Sequence, residues 1–261
     1  MPFTFSHPAI VLPVTYLPKK WYSLSALIAG SMTPDFEYFI RMKDYSKYSH
    51  TWKGLFWFDV PLGLLLLFIF HNIVRDILIQ YLPFSLNVRL SSFAKFNWNK
   101  YFRRNIIVVL ISLIAGIASH LFWDSFTHTG GYFAHAIAGL EEQVNIFNHH
   151  VYGATLLQYV CSIIGGMVML IVVFRLPEGR NTKKDNILNF WLLVSLIMIS
   201  VVNLRLYLDT LLNHHHHEDI IVTMISGTLI GITSLTFLLK QSDKRYYRTY
   251  KPLKEIRNRQ K

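Results

Sequence analysis

Charge is what this sequence has least of. Only 16% of its 261 residues are Asp, Glu, Lys or Arg, against about 25% in an ordinary soluble domain. Fully 52% are hydrophobic and the mean hydropathy is +0.32. That balance excludes a disordered chain, argues against one or two soluble domains, and points to a polytopic membrane protein. Cysteine is nearly absent: Cys161 stands alone in an apolar run, so no intramolecular disulfide exists and a packing role is its simplest reading. The first twenty residues, MPFTFSHPAIVLPVTYLPKK, lack an early basic region and a small-residue cleavage pattern, and read as no secretory signal. A phosphate-cradling glycine loop, G-x-S-x-G and H-E-x-x-H are all missing. The net charge of +11 does not suggest nucleic acid, because nine of the 26 basic residues fall in the last 22. They fit a cytoplasmic tail facing anionic lipid.

Long apolar runs are what the chain does have. A hydrocarbon core of ~30 Å takes about 20 apolar residues in a helix. Runs at 105–123, 154–176, 187–208 and 220–239 meet that length. A fifth, 55–74, holds Asp59 and Pro61 near its start, which reads as a capped helix N-terminus, and His71 and Arg75 at i, i+4 near its end. A sixth, 21–40, is broken by Pro34, Asp35 and Glu37, and is compatible with spanning, re-entering or lying at the interface. The expected fold is therefore all-α, a polytopic membrane bundle of five or six transmembrane helices. Residues 1–176 form a front unit with most of the polar intramembrane residues, and 177–261 a plainer back part with two more helices and the basic tail, the whole as one integrated domain.

Basic residues set the expected orientation. Six lie in 75–104, none in 124–153, four in 175–185, none in 209–219 and nine from Lys240 onward. The alternation places the C-terminus and both basic loops in the cytoplasm of a cell whose inner or plasma membrane holds the protein. One segment resists the rule. Alternation puts the stretch before Leu55 outside, yet it carries Arg41, Lys43, Lys47 and Lys53.

The most informative stretch is SHLFWDSFTHTGG, 119–131. His120, Asp124 and His128 recur every four residues, so on a helix they share one face. Two imidazoles and a carboxylate suit a divalent metal, zinc above others; a hydrogen-bonded polar cluster at a helix end is the plainer alternative. Thr129-Gly130-Gly131 ends that helix. Asp35 follows a proline in an apolar context and is either a ligand or an N-cap; Glu37 lies two residues on. His50 sits in a polar segment, and His7 precedes a proline. Sorted by side, Asp35, His50, His120, Asp124 and His128 can meet at the outer face, with His7 joining if 21–40 re-enters. Such a set serves one zinc, or two metals sharing a carboxylate. His149-His150 and the four histidines at 214–217 are weaker candidates, and Arg205 and Asp209 make a simple i, i+4 pair.

MPFTFSHPAIVLP, SLSALIAGSMTPDFEYFIRM, SHTWKGLFWFDVPLGLLLLFIFH and SHLFWDSFTHTGG together resemble an uncharacterised family of bacterial membrane proteins, a domain of unknown function. The order His, P-D, His-Thr, H-x-x-x-D is also similar to inner-membrane proteins labelled metal-dependent hydrolases, and to the zinc-dependent phospholipase C group. That similarity implies His7, Asp35, His50, His120 and Asp124 as ligands, with His128 next. It departs where phospholipase C has a further H-x-x-x-E: His149 and His150 are followed four residues on by Gly153 and Ala154. One or two metals are therefore expected rather than three.

The expectation is a membrane-embedded metal-dependent hydrolase acting on phosphoester or lipid-derived substrates, with Asp35 or Glu37 as general base. The alternative is a non-catalytic membrane protein whose polar or metal cluster is structural or docks a partner.

Overall fold

The computed structural model describes residues 4–94, 96–146, 149–211 and 219–259. The four histidines at 214–217 lie outside the described residues, as do the side chains of the basic tail from residue 243 onward. Among the described residues the fold is all-α apart from one hairpin, β1 (Gln143–Ile146) antiparallel to β2 (His149–Tyr152). Among the described residues five helices are long and apolar enough to cross a membrane: Trp52–Gln80, Ile106–Ala136, Gly153–Phe174, Ile187–Thr210 and Ile220–Ser242. All five expected runs are among them. The segment 21–40 is not: it forms α1 (Leu24–Met32), a 3₁₀ turn at Thr33–Asp35, and α2 (Phe36–Arg41). Pro34 forces that break, since a proline interrupts the hydrogen-bond ladder of a helix interior.

The chain divides into two compact units, Met1–Leu67 with Asn97–Leu176, and Phe68–Phe96 with Pro177–Lys261. In the first, α1 lies along α4 (Ile106–Thr127), and two glycines set how closely. A Cβ on Gly30 would come within 2.3 Å of the Leu113 carbonyl oxygen, and one on Gly116 within 2.4 Å of that of Leu27. Only glycine permits such a backbone approach. Leu27, Leu113 and Ile117 fill the seam. Ser112 Oγ accepts the Ser23 N–H at 2.8 Å, tying the start of α1 to the same helix.

The helix carrying Asp59, α3 (Trp52–Gln80), corrects the sequence reading. It starts seven residues earlier, at Trp52, where Thr51 Oγ1 accepts the Gly54 N–H at 2.9 Å. Asp59 caps nothing; it is fully buried inside a π-turn, Leu55–Asp59, just before Pro61. The Val60 N–H reaches back five residues to Leu55 O, and this wider turn lets the helix run on through a proline.

The second unit is held by Ile77, Tyr81, Phe190 and Val194, with the Tyr81 and Phe190 rings stacked at 4.5 Å. The Trp191 indole N–H donates to Tyr81 O at 2.8 Å. Arg205 Nε and Asp209 Oδ2 pair at 3.2 Å, as their spacing suggested.

A His and Asp cluster at one end of the first unit

His120 and Asp124 occupy successive turns on the buried face of α4. His120 is fully buried. Its Nδ1–H donates to Ser31 O at 2.7 Å, because a carbonyl can only accept. In the neutral ring this leaves the Nε2 lone pair facing the cluster, a backing common to metal-binding histidines.

Three groups converge on that nitrogen. Asp124 Oδ2 lies 3.2 Å from it, His50 Nε2 3.4 Å and Asp35 Oδ1 3.5 Å. His50 Nε2 is itself 3.5 Å from Asp35 Oδ1 and 3.4 Å from Asp124 Oδ2. The donors form two triangles sharing the His50–His120 edge, with one carboxylate on each side. Bonds of 2.0–2.1 Å to a tetrahedral zinc subtend donor separations of about 3.3–3.4 Å. The chemistry also fits, two imidazole nitrogens and two carboxylates being a borderline-to-hard set suited to zinc.

His7 joins from the N-terminal segment. Its ring stacks on His120 with centroids 3.9 Å apart, and its Nε2 is 3.8 Å from Asp124 Oδ1. His7, Asp35 and His120 form a second group of metal-holding spacing. Ser6 packs against Gly165 of α5 (Gly153–Phe174), which fixes the segment. His7 and His50 thus share one centre, the arrangement that follows when 21–40 does not carry the chain across.

His128 departs from the helical triplet. The helix ends at Thr127, and His128 is extended, with Gly130 at φ +83° completing the turn. Its Nδ1 still lies 3.6 Å from Asp124 Oδ1, and its Nε2 is 2.8 Å from the side-chain amide of Gln158. At 41% side-chain exposure it forms the open edge of the cluster. Asp124 Oδ1, between His7 and His128, is buried with no hydrogen bond among the described residues.

Asp35 makes no capping bond at the start of α2; its carboxylate serves the cluster. Glu37 stands apart. One oxygen accepts the Lys47 N–H at 2.8 Å, the other those of Tyr48 and Ser49 at 2.9 and 2.7 Å. Arg41 backs it at 3.5 Å. The carboxylate thereby ties down the three residues before His50. His50 itself has φ +57°, an uncommon conformation for a residue with a Cβ, and Ser49 Oγ contacts its Nδ1 at 2.9 Å.

Charge follows from this packing. Burial works against a charged His50, but its contacts with Asp124 and Asp35 carry its pKa above the ordinary 6.5. Burial would raise the Asp35 carboxyl; His120 and His50 outweigh it and hold it below the usual range. Burial, with His120 alongside, takes His7 down to about 4. For Glu37 burial pushes upward, and the backbone N–H groups of Ser49, Lys47 and Tyr48 bring it below 4.5.

Sequence reasoning missed Ser31, the clamping role of Glu37, and Gln158. Of these only Gln158 left a sign, as a polar residue in the second turn of an apolar helix. His150 lies in β2 opposite Asn145. No curated protein and no solved structure matches the chain. A family profile does, over residues 1–237, and the chain belongs to that family, described as Domain of unknown function (DUF4184).

Proposed function

We propose that this protein is a membrane-embedded metal-dependent hydrolase of phosphoester or lipid-derived substrates, with zinc held by His50, His120, Asp35 and Asp124. The observation that supports it is the pair of donor triangles with 3.2–3.5 Å edges around the Ser31-backed His120. His7 is the further ligand that a second ion would use. Bound zinc lowers the pKa of water and polarises the scissile group.

The residues take the remaining work. Water adds its oxygen to phosphorus, the ester P–O bond breaks, and the alcohol leaves with a proton. Asp124 Oδ1, the oxygen turned away from His50 and His120, accepts the proton from water. His128, oriented by Gln158 and half open to solvent, passes that proton to the departing alcohol oxygen. Asp35 serves as ligand and Glu37 as the positioning residue for His50. By the alternation of basic loops, the cluster lies at the outer face and the C-terminus in the cytoplasm.

Hydrolysis of a chromogenic phosphate ester by detergent-solubilised protein tests this. Turnover should be abolished by a chelator, restored by zinc, and fall at least 100-fold in Asp124→Asn. Zinc-independent turnover, or none with any phosphoester, contradicts the hydrolase. A purely structural site would bind zinc without turnover; the exposed edge at His128 would let water reach the metal beside its protein ligands, which favours the catalytic reading.

A further inference from the structure

The cations around His50 have no topological purpose. Loop 137–152, on the same side by the alternation of basic residues, carries no Lys or Arg, whereas 41–53 carries four. Arg41 is spoken for by Glu37. Lys43, Lys47 and Lys53 make no ion pair among the described residues, and Lys47 and Lys53 are exposed, three residues to either side of His50. Lys47 lies over the Tyr48 ring, 5.4 Å from its centroid, so exposed positive charge free of any carboxylate flanks His50 along the chain.

The same loop is aromatic. Tyr45 is 58% exposed, Trp52 71%, Phe56 65% and Trp57 57%. Trp52 and Phe56 are four residues apart on one helix and present one outward face. Exposed Trp and Tyr beside Lys are the side chains that anchor at lipid headgroups. The depth agrees. His120 and Asp124 lie 14 and 18 residues into a helix that begins at Ile106, roughly 21 and 27 Å along its axis at 1.5 Å per residue. In a hydrocarbon core of ~30 Å that places the centre just below the headgroups.

We propose that the loop 41–53 is a headgroup site for an anionic, phosphate-bearing lipid of the surrounding leaflet. This lipid is the substrate class of the neighbouring centre, an assignment that rests on the hydrolase reading. Lys47 and Lys53 hold the phosphate, the aromatic residues flank the acyl chains, and the ester enters from the side at His50 and His128.

The test uses the full chain in phosphatidylcholine vesicles. Tryptophan quenching by brominated phosphatidic acid is compared with quenching by brominated phosphatidylcholine, and zinc is measured on the same preparations. Wild type should prefer phosphatidic acid, and Lys47→Ala/Lys53→Ala should weaken that preference about tenfold or more, each cation near a membrane surface contributing about fivefold. Equal quenching by both lipids in wild type, or an unchanged preference in the double variant, overturns the headgroup site. Displacement of the brominated lipid by inorganic phosphate at equal concentration overturns the lipid as the source of the anion. Wild type without zinc overturns the hydrolase reading, and with it the assignment of the lipid as substrate, whatever the quenching shows.

Discussion

His120 donates its Nδ1–H to the carbonyl oxygen of Ser31, 2.7 Å away, and this bond decides which nitrogen faces Asp35 and Asp124. The bond exists because α1 and α4 touch through Gly30 and Gly116, which brings the end of one helix against the middle of the other. Packing and chemistry are linked at this point.

Gly116→Val tests that link. The added atoms collide with the Leu27 carbonyl, which belongs to backbone and cannot swing away. Overpacking of this kind costs about 1–3 kcal/mol or more. Thermal unfolding in detergent should show a lowered midpoint, and zinc affinity should fall in the same variant although no ligand has changed. An unaltered midpoint would mean that the helices do not approach as described.

Glu37→Gln should weaken zinc binding by about 10–100-fold, the range for residues that orient a ligand. The effect runs through His50, so in a His50→Ala background the same substitution should add nothing. Calorimetric zinc titration of the four proteins measures this. Independent losses would place Glu37 in direct contact with the metal. Acid stability follows as well. The folded pKa of Glu37 is depressed, so its contribution is present above 4.5 and is lost as pH falls through the folded value. Melting curves of metal-free Glu37→Gln should lose that acid dependence.

His50 gives a pH signature of opposite sign. Its folded pKa is raised above 6.5, so in metal-free protein its contacts with Asp124 and Asp35 stabilise fully below 6.5. They are lost as pH rises through the folded value. Zinc needs the neutral ring, so its affinity should fall as pH is lowered through that same raised value. Zinc titrations over this range, wild type against His50→Ala, decide the matter. Identical pH profiles for the two would remove His50 from the ligand set.

Gln158→Leu separates proton transfer from metal binding. The variant should keep its zinc and lose about tenfold in kcat, with KM little changed. Loss of zinc would make His128 a ligand held by Gln158 rather than a path for protons.

Much of this was legible in the sequence. The five spans follow from apolar length alone, and the four-residue spacing of His120 and Asp124 is the spacing of one helix face. His7, Asp35 and His50 were harder, because no local pattern says that residues 70 or more positions apart will meet. Sorting by membrane side and family resemblance brought them to the same centre. His128 was read as helical and is not, since the helix stops one residue short of it. Asp59 was read as a cap because an Asp and a nearby Pro look like a helix start, whereas a π-turn absorbs the proline mid-helix. The Ser31 carbonyl and the N–H groups held by Glu37 belong to the backbone, which carries no sequence signature.

The central claim is a zinc site built on His120 and Asp124. Elemental analysis of purified wild type, His120→Ala and Asp124→Ala, each checked for folding by its melting curve, tests it most directly. The account predicts one or two zinc ions per wild-type chain and none in either folded variant. Folded wild type that takes up no metal after reconstitution, or variants that keep theirs, would contradict it.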